Sequence, residues 1–336
     1  MGVTIHDVAK AAGVSVASAS RALSGRRKVT ADVAERVSRA AAELGYQPNA
    51  VAKALRDQTT GTIGMIVPGI GNPFFTTMVE AVERRLQETG RDLLLCSSQY
   101  DPLIEARRLE TLLSRRVDGL IISPCDIEAS APAVLSAAGR VPLVQLDRYI
   151  EAGGTDWVGL DDNAALAQAV EHVAAGGART VVFAGSRLVN SSARLRLSGF
   201  QLATERAGLE ARTPLLGEFT HEWGMQAGRL LLGDGPLPDA VICGNDEIAI
   251  GLIRALRLGG IRVPHEVMVV GMDDVGHAAM CDPPLTTVAQ PVDEMAAEAV
   301  RLLEQVRLGR TRAIQRIAIA PRLVVRETSR QRTEGE

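Results

Sequence analysis

From residue 62 onward the chain alternates short, almost unbroken apolar runs with longer amphipathic ones. The runs TIGMIVP (62–68), DLLLCSS (92–98), GLIISP (119–124), PLVQLD (142–147), TVVFAG (180–185), AVICGN (240–245) and VMVVGMD (267–273) predict strands. Strands of a parallel sheet are buried on both faces and so lose the polar alternation of half-exposed ones. The amphipathic stretches between them predict helices. Asn72-Pro73, Asp101-Pro102 and Gln290-Pro291 put proline near a first turn, Asp162, Ser191 and Asp246 are candidate N-caps, and Gly90, Gly139, Gly176 and Gly259 are stop signals. Strand and helix repeat over roughly 220 residues, which suits two doubly wound α/β lobes with a ligand cleft between them.

The first sixty residues carry no strand pattern and predict three short helices. Thr4 caps IHDVAKAA, Gly13 ends it, Ser15 caps VASASRAL, and Thr30 opens ADVAERVSRAAAEL before Gly45. Ala9 lies four residues before Gly13. A small side chain there lets the second helix cross closely, and the glycine permits the turn between them, as a helix-turn-helix requires.

Charge separates these two regions. Residues 1–60 hold nine Lys/Arg against five Asp/Glu, a net of +4, while the rest of the chain stands at -7 within an overall -3. A basic head on an acidic body suggests that the head alone meets a polyanion. The chain has 336 residues, 46% of them hydrophobic and 23% charged, which is ordinary for a folded protein. No run approaches the ~20 apolar residues that span a bilayer, and MGVTIHDVAK lacks the basic-then-apolar layout of a secretory leader, so a cytoplasmic protein with no membrane partner is expected. Cys96, Cys125, Cys243 and Cys281 are far apart and form no CxxC, which points to reduced thiols; no metal or cofactor is expected.

In the head, the second helix would present Val16, Ala17, Ser20 and Arg21 near its N-terminal end, where base edges are reached in the major groove. Arg21 can bond guanine bidentately, while Ser15, Ser18, Ser24, Arg26, Lys28 and Thr30 suit phosphates.

Taken together, TIHDVAKAAGVSVASASRALSG, LGYQPNAVAKALR, NPFF (72–75), SARLRLSGF (192–200), GND (244–246) and MCDPPLTTVAQP (280–291) resemble the LacI/GalR family of transcriptional regulators. The resemblance runs from about residue 3 to about residue 328. It implies a small all-α helix-turn-helix head on a two-lobed periplasmic-binding-protein-like body. It also implies a homodimer whose paired heads read a near-palindromic double-stranded DNA operator. The heads would be residues 1–60, including Thr4, with hinge helices at 49–56. Within that hinge Asn49 is a cap, Ala52 a small contact residue, Lys53 a DNA contact and Leu55 a wedge between central base pairs; an apolar wedge in the minor groove kinks the duplex. Val16 and Ala17 match the pair that sets base preference. The lobes would be 61–161 with 292–320, and 162–291 with 321–330. The polar C-terminus RETSRQRTEGE has no leucine heptads and favours a dimer over a tetramer.

By the same resemblance, a small effector lies between the lobes against Asp147, Arg196, Asn245 and Asp273, with Phe74 and Phe219 as its walls. These residues follow expected strands, where open α/β sheets gather ligands, and they combine acceptors with bidentate donors as a polyhydroxylated molecule requires. Structural roles compete with this one: Asp147 could cap a helix or bridge the lobes, and Arg196 could pair with an acid of its own lobe. The stretch NSSARLRLSGF resembles a sugar-responsive branch and favours a carbohydrate. A purine-responsive branch also has an arginine in this register and a phenylalanine at 219, so a purine corepressor is the alternative.

Two other classes fit less well. A Rossmann dehydrogenase would need a third glycine where Phe74 stands after Gly69-Ile70-Gly71, and the five histidines form no HExxH or triad-like spacing, so an enzyme is not expected. A secreted sugar-binding module would have no use for the basic helical head.

Overall fold

The computed structural model describes residues 3–24, 29–46, 59–309 and 313–329, and the chain divides into a unit ending at Thr60 and a unit beginning at Gly61. The proposed hinge 49–56, with Asn49, Ala52, Lys53 and Leu55, lies outside the described residues, as do Arg26 and Lys28.

The first unit contains α1 (Ile5–Ala11), α2 (Val16–Ser24) and α3 (Ala31–Glu43). The Asp7 carboxylate accepts from both Thr4 N (2.9 Å) and Thr4 Oγ1 (2.7 Å), closing the first turn and holding Asp7 below the usual carboxylate range. Gly13, at φ +63°, turns the chain so that Val14 N reaches back to Ala9 O at 3.0 Å. Ser15 Oγ then accepts from Ser18 N at 3.1 Å and starts α2. Val8, Ala9, Ala12, Ala19, Val37 and Ala40 are buried between the helices, mostly small residues that allow close crossings.

The second unit holds two sheets of like topology. In the first, β1 (Thr62–Val67), β2 (Asp92–Ser97), β3 (Gly119–Ile122), β4 (Leu143–Leu146), β5 (Asp156–Leu160) and β12 (Arg316–Ile319) run parallel in the order β12-β5-β4-β3-β1-β2. In the second, the strands are β6 (Thr180–Ser186), β7 (Glu210–Ala211), β8 (Leu215–Gly217), β9 (Ala240–Cys243), β10 (Met268–Asp273), β11 (Thr286–Ala289) and β13 (Arg322–Val324). Their order is β13-β11-β10-β9-β6-β7, with β8 also on β6 and β13 antiparallel. In each sheet the strand order reverses beside the first strand, β1 or β6, and crevices open there at the carboxyl ends.

All seven strands expected from apolar runs form. β3, β4, β9 and β10 are buried along their whole length, as two-sided coverage requires. β2 departs from that expectation: it is the sheet's edge, and its Leu94 and Leu95 are exposed.

Helices α4 (Pro73–Glu88), α5 (Pro102–Ser114), α6 (Ala131–Ala138) and α11 (Val292–Arg307) accompany the first sheet, and α7 (Asp162–Ala175), α8 (Ser191–Ala207), α9 (His221–Gly233) and α10 (Asp246–Leu258) the second. Asn72 and Asp101 cap α4 and α5 ahead of their prolines. At three other helices the cap stands one residue before the expected one. Asp161, Asn190 and Asn245 each accept from the backbone N–H of the third helical residue, while Asp162, Ser191 and Asp246 are the first helical residues. A cap must keep non-helical dihedrals, and a residue already in the helix turns its side chain away from the free N–H groups.

α9 and α10 cross at glycines. A Cβ on Gly251 would collide with the carbonyl of His221, and one on Gly224 with that of Ile248. Both obstacles are backbone, so relief requires moving a helix. Gly251→Ala is expected to lower unfolding stability by ~1–3 kcal/mol; a urea midpoint equal to that of the unsubstituted protein would show that the helices can separate at no cost.

Candidate functional site

The carboxyl ends of both sheets face one cavity. Asn72 and Phe74 lie at the start of α4 after β1, Asp147 follows β4, Arg196 sits one turn into α8 after β6, Phe219 precedes α9, Asn245 follows β9, and Asp273 ends β10. All six residues expected to meet an effector line this cavity, together with Asn72, Phe75, Arg148 and Ser192. The space among them is narrow, about 230 Å³. Phe74 lies in the first turn of α4, buried and edge-on to Phe75 at 5.2 Å, and serves core and wall together.

The displaced caps matter here, because each first helical residue is released for a longer-range contact. Asp162 accepts from Arg196 Nε at 3.0 Å. Ser191 Oγ accepts from Tyr149 N, in the first lobe, at 3.0 Å. Asp246, expected as a helix cap, instead accepts from Thr287 Oγ1 (2.6 Å) and Val275 N (2.9 Å) and fills the space above Gly271. Asn245 uses its carbonyl oxygen as the cap, accepting from Ile248 N at 3.0 Å, and its buried Nδ2 has no protein partner.

Arg196 is buried and pairs within its own lobe. Besides Asp162, it donates through Nη1 to Gly244 O at 2.6 Å and stands 3.8 Å from Asp273 Oδ1, with its guanidinium 5.9 Å from the Phe219 ring centre. Burial works against its charge, but the facing Asp162, Asp273 and Asp147 outweigh it and raise its pKa. Asp273 accepts from Gln290 Nε2 at 2.7 Å; burial pushes its carboxyl up to about 7 and that of Asp162 up to about 6, with Arg196 opposing in both. Asp147 is also raised by burial, against Arg148, Arg196 and the hydroxyls of Ser123 and Ser192. Both Asp147 (φ +66°) and Asp273 (φ +117°) hold positive φ, a conformation costly for side chains with a Cβ.

Arg148 gave no signal in the sequence beyond an arginine beside Asp147. Its guanidinium lies between the Phe75 ring of the first lobe (5.4 Å) and the Phe219 ring of the second (5.5 Å). Asn72, Phe75 and Ser192 were likewise not expected as lining residues, although all three fall inside the quoted NPFF and SARLRLSGF motifs. At the rim the lobes are joined by Ile127 N to Val189 O (2.8 Å) and by Arg194 to Glu128 (2.8 Å) and Glu151 (3.5 Å). This set of acceptors, donors and ring faces can strip water from a small polar molecule and replace its hydration bond by bond.

On the head, Val16, Ala17 and Arg21 are exposed along the first turns of α2 and Ser20 is half-buried beside them. Arg21 Nε donates to Ala17 O at 3.1 Å. Thr4 and Ser15 stand at the starts of α1 and α2; the Thr4 N–H and hydroxyl already meet the Asp7 carboxylate, while Ser15 Oγ caps α2.

A helix-turn-helix unit together with two α/β lobes around a polar crevice defines a DNA-binding regulator with an effector-binding domain. Residues 4–49 match the model described as bacterial regulatory proteins, lacI family, and residues 170–329 that of the periplasmic binding protein-like domain. The HTH-type transcriptional regulator DegA of Bacillus subtilis (strain 168) is 33% identical over 334 residues, covering 98% of each chain. The ribose operon repressor of Escherichia coli (strain K12) is 34% identical over 327 residues, 96% of this chain and 98% of that one. The crystal structure of the lac repressor dimer bound to operator and the anti-inducer ONPF superposes with a TM-score of 0.90 at 30% identity, covering 98% of this chain and 99% of that one. The chain belongs to the LacI family of bacterial transcriptional regulators, which are not enzymes. Among the described residues no helix is long and apolar enough to cross a membrane.

The raised carboxyls set a pH dependence. A folded-state pKa of about 7 for Asp273, against 3.8 for the free group, means that the native protein holds this proton more tightly than the unfolded chain does. Stability therefore falls as pH rises toward that value. Between pH 6 and pH 8 the loss from Asp273 is about 1 kcal/mol. Asp273→Asn is expected to remove most of this difference in urea titrations at the two pH values; an unchanged slope would assign it to other groups.

Proposed function

We propose that the protein is a homodimeric transcriptional repressor whose affinity for a near-palindromic operator is set by a small effector, a sugar or sugar derivative, bound between its lobes. The observation that carries this reading is the convergence of Phe74, Asp147, Arg196, Phe219, Asn245 and Asp273 on one cavity at the carboxyl ends of both sheets. Asp147 and Asp273 suit hydroxyl donors, Arg196 and Asn245 suit hydroxyl or ring oxygens, and Phe74 and Phe219 suit the apolar face of a sugar. The likeness to a ribose operon repressor supports the same effector class.

The lobes are assigned to 61–161 with 292–320 and 162–291 with 321–330, so that an effector bridging them changes how they are disposed. It regulates DNA binding by preferring one disposition to the other. Dimer formation is supported by the exposed Leu94 and Leu95 on the edge strand β2 and by Leu258 and Met280, 75% and 77% exposed, at the end of α10 and after β10. In the head, Val16, Ala17, Ser20 and Arg21 read bases, Thr4 and Ser15 take phosphates, and Asn49, Ala52, Lys53 and Leu55 supply the hinge contacts, with Leu55 as the wedge. Action in the cytoplasm follows from that role.

Selection of bound duplexes from random DNA, at two salt concentrations, tests the DNA half of the proposal. A near-palindromic site is expected, and binding that is only salt-sensitive and sequence-independent would overturn it. Leu55→Ala should weaken binding to the selected site at least tenfold more than binding to random duplex; equal losses would remove the wedge. Arg196→Ala tests the cleft: operator binding without effector should persist while the response to effector disappears, and an unaltered response would place the effector elsewhere.

A further inference from the structure

The polar groups around the cavity are unevenly satisfied. Its carboxylates have partners: Asp147 takes Ser123 Oγ at 3.3 Å, Asp273 takes Gln290 Nε2 at 2.7 Å, and Asp162 takes Arg196 Nε at 3.0 Å. Two of its donors have none. Arg148 is 4% exposed and Asn245 1%, yet neither Arg148 Nε nor Asn245 Nδ2 meets an acceptor. The carboxylate facing Arg148 is Asp147, whose Oδ2 lies 3.6 Å from Nε, beyond hydrogen-bond reach. Burial accordingly lowers the Arg148 pKa, with Asp147 only partly compensating.

A buried donor left unmatched costs about 1–3 kcal/mol, and more on a charged group. What Arg148 and Asn245 lack is therefore an acceptor-rich group, and the Arg148 charge is only partly compensated by Asp147. The Arg148 guanidinium is held within 5.4 Å of the Phe75 ring centre and 5.5 Å of that of Phe219, and its fork of N–H groups matches the geometry of a carboxylate or phosphate. A bound anion would add to the carboxylate charge already present, and Asp273 and Asp162, which protonate near neutrality, can relieve that excess. The narrow space among these side chains favours a single ring or its open chain over a disaccharide.

We infer that the effector is a monosaccharide-sized polyol bearing an anionic group, carboxylate or phosphate, and that Arg148, with Asn245 beside it, is the residue that selects for that group. This rests on the cleft being the effector site, as proposed above, and adds to it a charge requirement.

The test uses the full-length protein and five probes: D-gluconate, D-ribose 5-phosphate and inorganic phosphate as anions, D-glucose and D-ribose as neutral counterparts. Affinity is measured by calorimetry for the unsubstituted protein, Arg148→Met and Arg148→Lys, with each variant's unfolding transition recorded to establish that it folds. At least one anion is expected to bind ten times or more tighter than its neutral counterpart. Arg148→Met should lower that affinity at least tenfold, and Arg148→Lys, which keeps the charge without the fork, should lower it less. If Arg148→Met does not fold, the Arg148→Lys loss decides. Gluconate binding alone identifies a carboxylate; ribose 5-phosphate or inorganic phosphate binding alone identifies a phosphate. Equal or tighter binding of the neutral sugars, an Arg148→Met protein that keeps its anion affinity, or no binding by any anion overturns the inference. Operator affinity measured with the same probes separates the two levels. A neutral sugar that shifts it, and loses its effect in Arg196→Ala, leaves the cleft reading standing while the charge requirement falls. Anions that bind through Arg148 without altering operator affinity would instead sink the cleft as the regulatory site.

Discussion

A guanidinium buried in the interior of a lobe is costly unless carboxylates meet it, and three elements of the second lobe converge on Arg196. Its Nε faces Asp162 from α7, its Nη1 meets the carbonyl of Gly244 at the end of β9, and Asp273 closes the third side from β10. Three elements far apart in sequence are thus fixed by one side chain, and the cleft wall is the surface of that arrangement. Losing Asp162 would leave a buried charge uncompensated, so the pair is better understood as setting geometry than as adding stability.

The supply of those carboxylates depends on where each helix begins. At α7, α8 and α10 the residue before the helix does the capping, so the next one, Asp162, Ser191 or Asp246, is free to reach across the fold. Two adjacent polar residues at a helix start look interchangeable in sequence, since either can accept from a free N–H. Only the backbone dihedrals separate them, and those are set by how the preceding strand ends.

The same distinction governs what could be read beforehand. Most strands buried on both faces announce themselves as apolar runs, and all seven such runs form strands. β5 and β11, nearly as buried, do not announce themselves in this way, because Asp156 and the threonines Thr286 and Thr287 break their apolar character. The short edge strands β12 and β13 do not, because residues such as Arg316 and Arg322 interrupt them on their exposed faces. The positions that converge on the cleft were legible through family resemblance combined with their place after strands. Arg148 was not, because an arginine next to an aspartate looks like a solvated pair. Its burial follows from the long-range approach of Phe219 toward Phe75, which no local pattern encodes. The exposure of Leu94 and Leu95 was invisible for a similar reason: an edge strand and a central one can share the same composition.

Asp147 and Asp273 both occupy the left-handed half of backbone space, one at the cleft end of each lobe. Any side chain with a Cβ is strained there, aspartate and asparagine least and β-branched residues most of all. These two positions are therefore narrow channels for sequence drift: the backbone restricts their side chains before any ligand does. Diversification of what this scaffold recognises has to pass through neighbours in ordinary conformations. A position such as 148, free in backbone and aimed at the same space, is where lineages can part while the frame around it stays the same.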